Sequence, residues 1–147
     1  MHSAGPTDAN NGILAAMRDP FEVSPAATAA PLGNGHINQT VLVTDVDRRL
    51  VAQRINTTVF RRPEDLVHNA RAIESHLARK GGPLRVVRHV PCRDGRYLFG
   101  PNRDVRVLEY IPDSRSIEVL ENSAQGELAA ASFARFARLL SDFNASE

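Results

Sequence analysis

The stretch that decides the fold is residues 32–44, LGNGHINQTVLVT, in which two glycines and two asparagines lie directly before a run of β-prone residues. A second β-prone run, residues 50–55, follows after a short polar segment, so the two runs are predicted to form an antiparallel hairpin. Gly33 and Gly35 allow a tight bend whose backbone N–H groups can approach an anion. The same bend also fits an ordinary Asn-Gly turn between two strands. The two interpretations, a phosphate site and a plain turn, can therefore be distinguished only by the flanking segments.

Three kinds of phosphate-binding glycine loop can be compared with this segment. A dinucleotide-binding fingerprint requires a helix directly after the glycines and a third small residue where Asn38 stands, whereas a β-prone run follows here. A Walker A loop requires Gly-Lys-Ser/Thr, and the only lysine of the chain is Lys80. A protein-kinase loop joins two antiparallel strands and covers the ATP phosphates. The sequence favours this third arrangement.

The kinase arrangement places a cation on the following strand, where it meets the α- and β-phosphates. Residues 51–54, VAQR, match the Val-Ala-Ile-Lys pattern, and Arg54 stands at the position of its lysine. Arginine binds phosphate through a planar fork and keeps its charge, although its head is larger than an ammonium group. Arg54 is therefore the predicted phosphate ligand, and a solvated strand arginine is the alternative.

The most regular helical pattern lies at residues 63–79. Pro63 suits the first turn, two acidic residues follow it, and apolar residues recur on one face until the Lys-Gly-Gly-Pro sequence at residues 80–83. A kinase needs a carboxylate on this helix to hold the strand cation in place. Glu74 is the predicted partner of Arg54, and an ordinary exposed glutamate is the alternative.

The rest of the chain completes an α+β pattern. Residues 1–12 are expected to form a frayed end, followed by a short helix over residues 13–17. Three further β-prone runs are predicted strands, at residues 84–90, 96–99 and 105–111. A second long helix is predicted at about 124–143, with Asn122 as its N-cap. This order indicates an antiparallel sheet with one packed helix, followed by a further helix.

Composition and charge limit the classes of partner. The 147 residues suit one domain but are too few for a complete two-lobed kinase. The formal net charge of +1 gives no field for gripping nucleic acid or an anionic membrane, and the arginines of residues 85–106 are spread in the manner of a solvated surface. The single cysteine, Cys92, excludes an internal disulfide. Since no leader or membrane-spanning run is recognisable, we expect a cytoplasmic protein without nucleic-acid or membrane partners.

Three segments resemble those of a known family: residues 32–40, LGNGHINQT, residues 53–60, QRINTTVF, and residues 63–66, PEDL. They stand in the order and spacing of the N-acetylhexosamine 1-kinases, a branch of the aminoglycoside phosphotransferase family. The resemblance implies a protein-kinase-like N-terminal lobe that binds ATP. Aminoglycoside, choline and homoserine kinases stay open as alternative relatives.

The resemblance also implies a nucleotide site. Its phosphate side would be formed by Gly33, Asn34, Gly35, His36, Ile37, Asn38 and Thr40, together with Arg54 and Glu74. Residues 105–114, VRVLEYIPDS, resemble the last strand and the hinge between two lobes. Main-chain groups of Glu109, Tyr110 and Ile111 are therefore expected to bind adenine. For His36 and Asn38, stabilisation of the turn is the alternative role.

The resemblance runs from about residue 20 to the end, which is well under half of a full-length family member. The last helix resembles the first helix of the C-terminal lobe, and the family's catalytic Asp and Mg²⁺-binding Asp have no counterpart in this sequence. We therefore expect a flexible segment at residues 1–20, a nucleotide-binding lobe at 21–112, and a hinge with an incomplete second lobe at 113–147. No catalytic residue or metal ligand is assigned, and Mg²⁺ and a sugar or other small-molecule acceptor would bind through the missing lobe.

Two functions from different classes fit these expectations. The first is part of an ATP-dependent sugar kinase that is inactive on its own and binds nucleotide weakly. The second is a self-standing nucleotide-binding or regulatory domain that performs no chemistry. In the first case an exposed lobe interface favours self-association, whereas a soluble monomer favours the second.

Overall fold

The computed structural model describes residues 6–82, 84–114 and 117–144 of the chain. Within these ranges the helices are α1 (Pro6–Met17), α2 (Pro63–Lys80) and α3 (Ser123–Leu139), and the strands are β1 (Thr28–Pro31), β2 (Gln39–Thr44), β3 (Arg49–Arg54) and β4 (Val105–Glu109). The strands form one antiparallel sheet in the order β1-β2-β3-β4. The predicted α+β class and antiparallel sheet are confirmed, and the arrangement is that of a kinase-like N-terminal lobe.

The glycine segment is the connection between β1 and β2. Pro31 pairs with Val41, and the N–H of Leu32 donates to the carbonyl of Thr40 at 3.0 Å. The segment therefore joins two antiparallel strands and opens no helix, as the kinase arrangement requires. Gly33 has a φ of 75°, a backbone conformation that strains any residue with a Cβ, so the bend depends on glycine at this position. The predicted hairpin that follows is confirmed as β2 and β3.

One face of the sheet is closed by α1 and is called the α1 face here. Residues paired directly across strands share a face, so Val41, Ala52 and Val107 lie side by side, each fully buried. They belong to the same apolar core as Ile13 and Met17 of α1, which are also fully buried. These two side chains are four residues apart and so lie on one side of the helix. Burial of that side holds α1 against the sheet.

The N-terminal part of the chain differs from the expectation. Residues 6–12 were expected to be part of a frayed end, but they form the first turns of α1. Among residues 10–17 of this helix, whose burial the structure describes, the apolar residues of the buried core are Ile13, Leu14 and Met17, too few to show a period in the sequence. Contact with the sheet stabilises the helix, and this contact is not visible in local sequence. Residues 1–5 lie outside the described residues.

The opposite face of the sheet, called the cleft face here, is partly covered by α2. Ile55, Val67 and Leu98 form a small buried cluster between the end of β3 and the helix. α2 begins at Pro63 and carries basic residues in its last turn, as the helix dipole favours. The predicted helix 63–79 is therefore confirmed.

Residues 84–90, predicted as a strand, contribute only a bridge. His89 pairs antiparallel with a residue of β4, and the N–H of Val90 donates to the carbonyl of Val107 at 2.9 Å. Pro91 has no N–H and ends the ladder at once. The short segment around His89 nevertheless covers part of the outer edge of β4.

The predicted strand 96–99 is likewise reduced to a bridge between Phe99 and Val105. Gly100 follows with a φ of 87°, so the chain turns back immediately. Phe99 is buried and packs edge to face on Phe21, with ring centroids 5.0 Å apart. The segment therefore fills the core on the α1 face instead of extending the sheet.

The two edges of the sheet are unequal. β1 is the outermost strand on one side, has four residues, and ends at Pro31. β4 is the outermost named strand on the other side, where the His89 segment pairs with it. The edge at β1 is thus the more open of the two.

α3 lies at the C-terminal end of α2. Its predicted N-cap is confirmed, because Asn122 Oδ1 accepts a hydrogen bond from the N–H of Gln125 at 3.0 Å. His76 Nε2 of α2 lies 3.0 Å from the carbonyl oxygen of the last residue of α3. None of the described residues of α3 is buried, and its apolar Leu128 and Phe133 are exposed. Among the described residues, none of the helices has the length and apolar character needed to cross a bilayer.

Candidate functional site

An open cleft of about 410 Å³ lies between the glycine loop and the C-terminal end of β4. It is lined by Leu32 and Gly33 of the loop, Val51 and Leu108 of the sheet, and residues 109–111 after them. This volume falls within the range of small-molecule sites. Aliphatic side chains beside a stretch of main chain suit a flat, apolar ring with a hydrogen-bonding edge.

The residues predicted to form the hinge, Glu109, Tyr110 and Ile111, all line this cleft. β4 ends at Glu109, so the main-chain groups of Tyr110 and Ile111 lie beyond the β3–β4 ladder. The guanidinium of Arg49 lies 4.2 Å from the centroid of the Tyr110 ring and fixes its orientation through a cation–π contact. The structure thus brings the predicted hinge and the glycine loop to one cleft.

The glycine loop is anchored at both of its ends and exposed between them. Residues 34–37 are exposed. The Asn34 side-chain amide donates to Glu118 Oε1 at 2.6 Å. At the other end, Asn38 Oδ1 accepts a hydrogen bond from the N–H of Asn56 at 2.9 Å. Asn38 therefore fastens the loop to the chain that follows β3, which is a turn-stabilising role.

Arg54 lies on the opposite face of β3 from Gln53. It shares the α1 face with Ala52, and its Nε lies 3.9 Å from a carboxylate oxygen of Asp104. The structure therefore differs from the predicted pairing of Arg54 with Glu74. The physical reason is strand alternation, since a shift of one residue along a strand moves a side chain to the other face.

A chain of hydrogen bonds, called the polar chain here, crosses the cleft face. Gln53 Nε2 donates to Thr40 Oγ1 at 3.0 Å. Gln53 Oε1 accepts two bonds from Arg106, from Nε at 3.1 Å and from Nη2 at 2.8 Å. Arg106 Nη1 lies 3.2 Å from His89 Nε2, and His89 Nδ1 lies 2.5 Å from Glu74 Oε1. The polar chain thus links β2, β3 and β4 to α2, with a cation near its middle and a carboxylate at its end.

The protonation state of His89 follows from its surroundings. Its side chain is 3% exposed, and this burial lowers the pKa of His89, with the charges of Arg106 and Arg71 acting in the same direction. The hydrogen bond and charge of Glu74 oppose them without reversing the shift. His89 is therefore neutral at pH 7. Because the neighbouring Arg106 can only donate, the ring accepts at Nε2 and donates from Nδ1 to Glu74.

Burial also lowers the pKa of Arg106, and the charge of Glu74 opposes that shift. An arginine nevertheless keeps its charge at physiological pH. The polar chain therefore holds one positive and one negative charge on either side of a neutral ring.

Gln53, Arg106 and His89 were missed by sequence reasoning. The predicted hinge at residues 109–111 contained enough information to place Arg106 on the cleft face. Once residues 109–111 are placed at the hinge, strand alternation puts Leu108 and Arg106 on the same face of β4. His89 had no such signal, because only the fold brings it beside Glu74 and Arg106.

The cleft offers apolar walls and main-chain groups, and the polar chain offers a cation. Within the described part of the chain, no three His, Cys, Asp or Glu side chains come together as metal ligands.

The sequence of residues 28–146 matches the model of the phosphotransferase enzyme family, APH. The matched region begins at β1 and includes the glycine loop, the cleft, the polar chain and α3. It therefore covers well over half of the chain. α1 lies before it.

Proposed function

Because the chain belongs to the phosphotransferase enzyme family, we propose that its cleft binds ATP and that the chain is the nucleotide-binding part of an enzyme that phosphorylates a sugar or a related small hydroxyl compound. The observation that carries this proposal is that the glycine loop, Val51 and residues 109–111 line one cleft. ATP would supply the phosphoryl group. The residues described here would bind and orient it.

Adenine fits the cleft chemically. The ring would pack on the apolar side chains of Leu32, Val51 and Leu108, which remove one of its faces from water. Its polar edge would bond to main-chain groups of Tyr110 and Ile111, which the β3–β4 ladder does not use. A protein-kinase-like lobe binds adenine at its hinge in this way.

The glycine loop would hold the phosphates. Across the described chain, the N–H groups of residues 33–38 make none of the backbone hydrogen bonds found outside helices and strands. A Cβ added at Gly33 would meet no atom within 4 Å, so there is open space beside the bend. Free N–H groups beside open space form an anion site when the backbone bends around it. Gly33 to Asn38 therefore contribute amides to the proposal, while Asn38 also anchors the loop.

Calorimetric titration of the chain with ATP and with adenosine tests the proposal. Val51→Phe would fill the cleft and lower the affinity for both ligands at least about tenfold, as loss of a single well-packed contact does. Val46→Phe is the matched control, since Val46 lies in the β2–β3 turn with 74% exposure, and this variant should bind like wild type. A wild-type chain that binds neither ligand at millimolar concentration would overturn the proposal.

The finer proposal concerns the acceptor, and it rests on residues 32–40 and 53–60, which resemble N-acetylhexosamine 1-kinases. We expect the chain by itself to bind nucleotide without transferring phosphate. Incubation with radiolabelled ATP and N-acetylglucosamine, N-acetylgalactosamine, choline or homoserine tests the expected inactivity. A labelled product would contradict the expected inactivity, and its identity would show whether the acceptor is a hexosamine.

A further inference from the structure

We propose that Arg106 binds the nucleotide phosphates in this chain and that His89 and Glu74 hold its guanidinium in place. The inference rests on the proposed function, because it assumes that the neighbouring cleft holds adenine. In protein kinases a lysine on the third strand does this work, supported by a glutamate of the following helix. Here the corresponding position on the cleft face holds the neutral Gln53.

The register of the sheet places Arg106 beside the cleft. Val51 and Leu108 are directly paired, and both line the cleft. The next pair on the same face is Gln53 and Arg106, which lies about 7 Å further along the strands. In that direction Gln53 pairs with Thr40 at the start of β2, where the glycine loop ends. Phosphates attached to a base in the cleft would therefore extend under the loop towards Arg106.

The charges on the two faces favour Arg106 over Arg54. Arg54 lies on the α1 face and has Asp104 as its counter-ion. On the cleft face, Arg49 lies at the hinge end over the Tyr110 ring. Arg106 is thus the arginine of β3 and β4 that lies on the cleft face at the loop end.

The hydrogen bonds of Arg106 leave donors for a ligand. An arginine has five N–H groups. Gln53 accepts from Nε and from one N–H of Nη2, and His89 accepts from one N–H of Nη1. One N–H remains on each terminal nitrogen, which suits two oxygens of a phosphate group. Arg106 is only partly buried, so an anion can reach these donors.

His89 and Glu74 are positioning residues in this arrangement. The main-chain N–H of His89 donates to Glu74 Oε2 at 3.2 Å while its ring lies 2.5 Å from Oε1. The carboxylate is therefore held at both oxygens and in turn fixes the ring tautomer that accepts from Arg106. The charge of Glu74 thus orients Arg106 through a neutral imidazole, where a kinase has a direct ion pair between lysine and glutamate.

The test compares ATP with adenosine, titrated by calorimetry into wild type, Arg106→Gln and Arg54→Gln. We expect Arg106→Gln to weaken ATP binding about tenfold to a hundredfold and to leave adenosine binding unchanged. Arg54→Gln should change neither affinity. A larger loss of ATP affinity in Arg54→Gln, or none in Arg106→Gln, would overturn the assignment. If wild type binds adenosine and ATP equally, the assignment fails while the cleft stands; if it binds neither, the proposed function fails with it.

A second set of variants guards against a loss of folding. Arg106→Lys keeps the charge, so we expect wild-type thermal unfolding by circular dichroism. Because it lacks the planar fork, its ATP affinity should lie between those of wild type and Arg106→Gln. His89→Phe should weaken ATP binding and leave adenosine binding unchanged. His89→Gln should bind ATP more tightly than His89→Phe, because the glutamine amide can donate to Glu74 and accept from Arg106. Equal ATP binding by wild type and His89→Phe would contradict the positioning role.

Discussion

The two faces of the sheet use the same three strands for different purposes. On the α1 face, Val41, Ala52 and Val107 are all fully buried in an apolar core. On the cleft face, the neighbouring positions hold Gln53 and Arg106, which are partly exposed and joined by hydrogen bonds. Because alternate residues of a strand point to opposite faces, one face can be optimised for packing without constraining the other. Stability should therefore depend mainly on the α1 face and ligand binding on the cleft face.

The largest effect that this division predicts is on the α1 face. Met17→Ala should lower the free energy of unfolding by about 2–5 kcal/mol, because it leaves a cavity under α1. ATP affinity of the folded protein should not change. Urea unfolding followed by circular dichroism measures the first quantity and calorimetry the second. Leu128→Ala, on the exposed side of α3, is the control and should cost less than about 0.5 kcal/mol. Equal losses in the two variants would show that α1 is not part of the core.

A smaller effect is expected at the end of the polar chain. Glu74→Gln removes the negative charge that balances the positive charge of Arg106, but it nearly preserves the shape of the side chain. It should lower the free energy of unfolding by about 1–3 kcal/mol. It should also weaken ATP binding, which Met17→Ala should not. Glu64→Gln, in the first turn of α2, provides the comparison, since it removes only a favourable contact with the helix dipole. If both glutamine variants bind ATP like wild type, Glu74 has no part in the ligand site.

The glycine loop offers a matched pair with an effect of about 1 kcal/mol. Gly33→Ala forces a Cβ into a backbone with a φ of 75°, and it should lower stability by about that amount. At Gly35 a Cβ would lie 3.5 Å from the carbonyl oxygen of Asn38, an ordinary contact, so Gly35→Ala should be close to neutral. Thermal unfolding of the two variants measures the difference. A costly Gly35→Ala and a neutral Gly33→Ala would contradict the described bend.

The smallest effect is expected from pH. The pKa of His89 is lowered in the folded chain by burial first, while Glu74 opposes the shift and Arg106 and Arg71 add to it. The unfolded chain therefore binds more protons between the lowered pKa and the ordinary value of 6.5, and stability should fall as pH decreases through that window. His89→Phe should remove this dependence. Urea unfolding between pH 7.5 and pH 5 measures it, and identical profiles for both proteins would exclude His89 as the source.

Other groups that respond to pH act in a different range. The pKa values of Asp45, Asp94 and Asp142 are lowered from 3.8 by hydrogen bonds, to backbone N–H groups at Asp45, to Arg96 at Asp94 and to Lys80 at Asp142. Whatever stability these carboxylates contribute is present above that value and is lost only at lower pH. They therefore do not obscure the His89 window.

Local sequence was sufficient for the elements whose signals are local. The glycine bend, the β2–β3 hairpin, α2 and the Asn122 cap each depend on residues within a few positions of one another, and each was predicted. The segment boundaries at residues 20 and 112 stay a prediction.

The face assignment of β3 could not be predicted, because Leu50, Val51 and Ala52 are all apolar and give no alternation from which to read the faces. Matching Val-Ala-Gln-Arg to a kinase pattern therefore selected Arg54, whereas the register puts Gln53 on the cleft face. A displacement of one residue in that match moves the selected side chain from the cleft face to the α1 face.

The open edge of the sheet has a consequence for how copies of the chain can meet. β1 offers only four residues for pairing and ends at Pro31, which has no N–H to donate. A strand from a second molecule would find too few hydrogen bonds there for ordered, fibre-like growth. Any self-association should instead bury exposed apolar side chains such as Leu128 and Phe133 of α3. Such an assembly should then dissociate on dilution, or when these residues are replaced by polar ones, and sedimentation velocity can measure this.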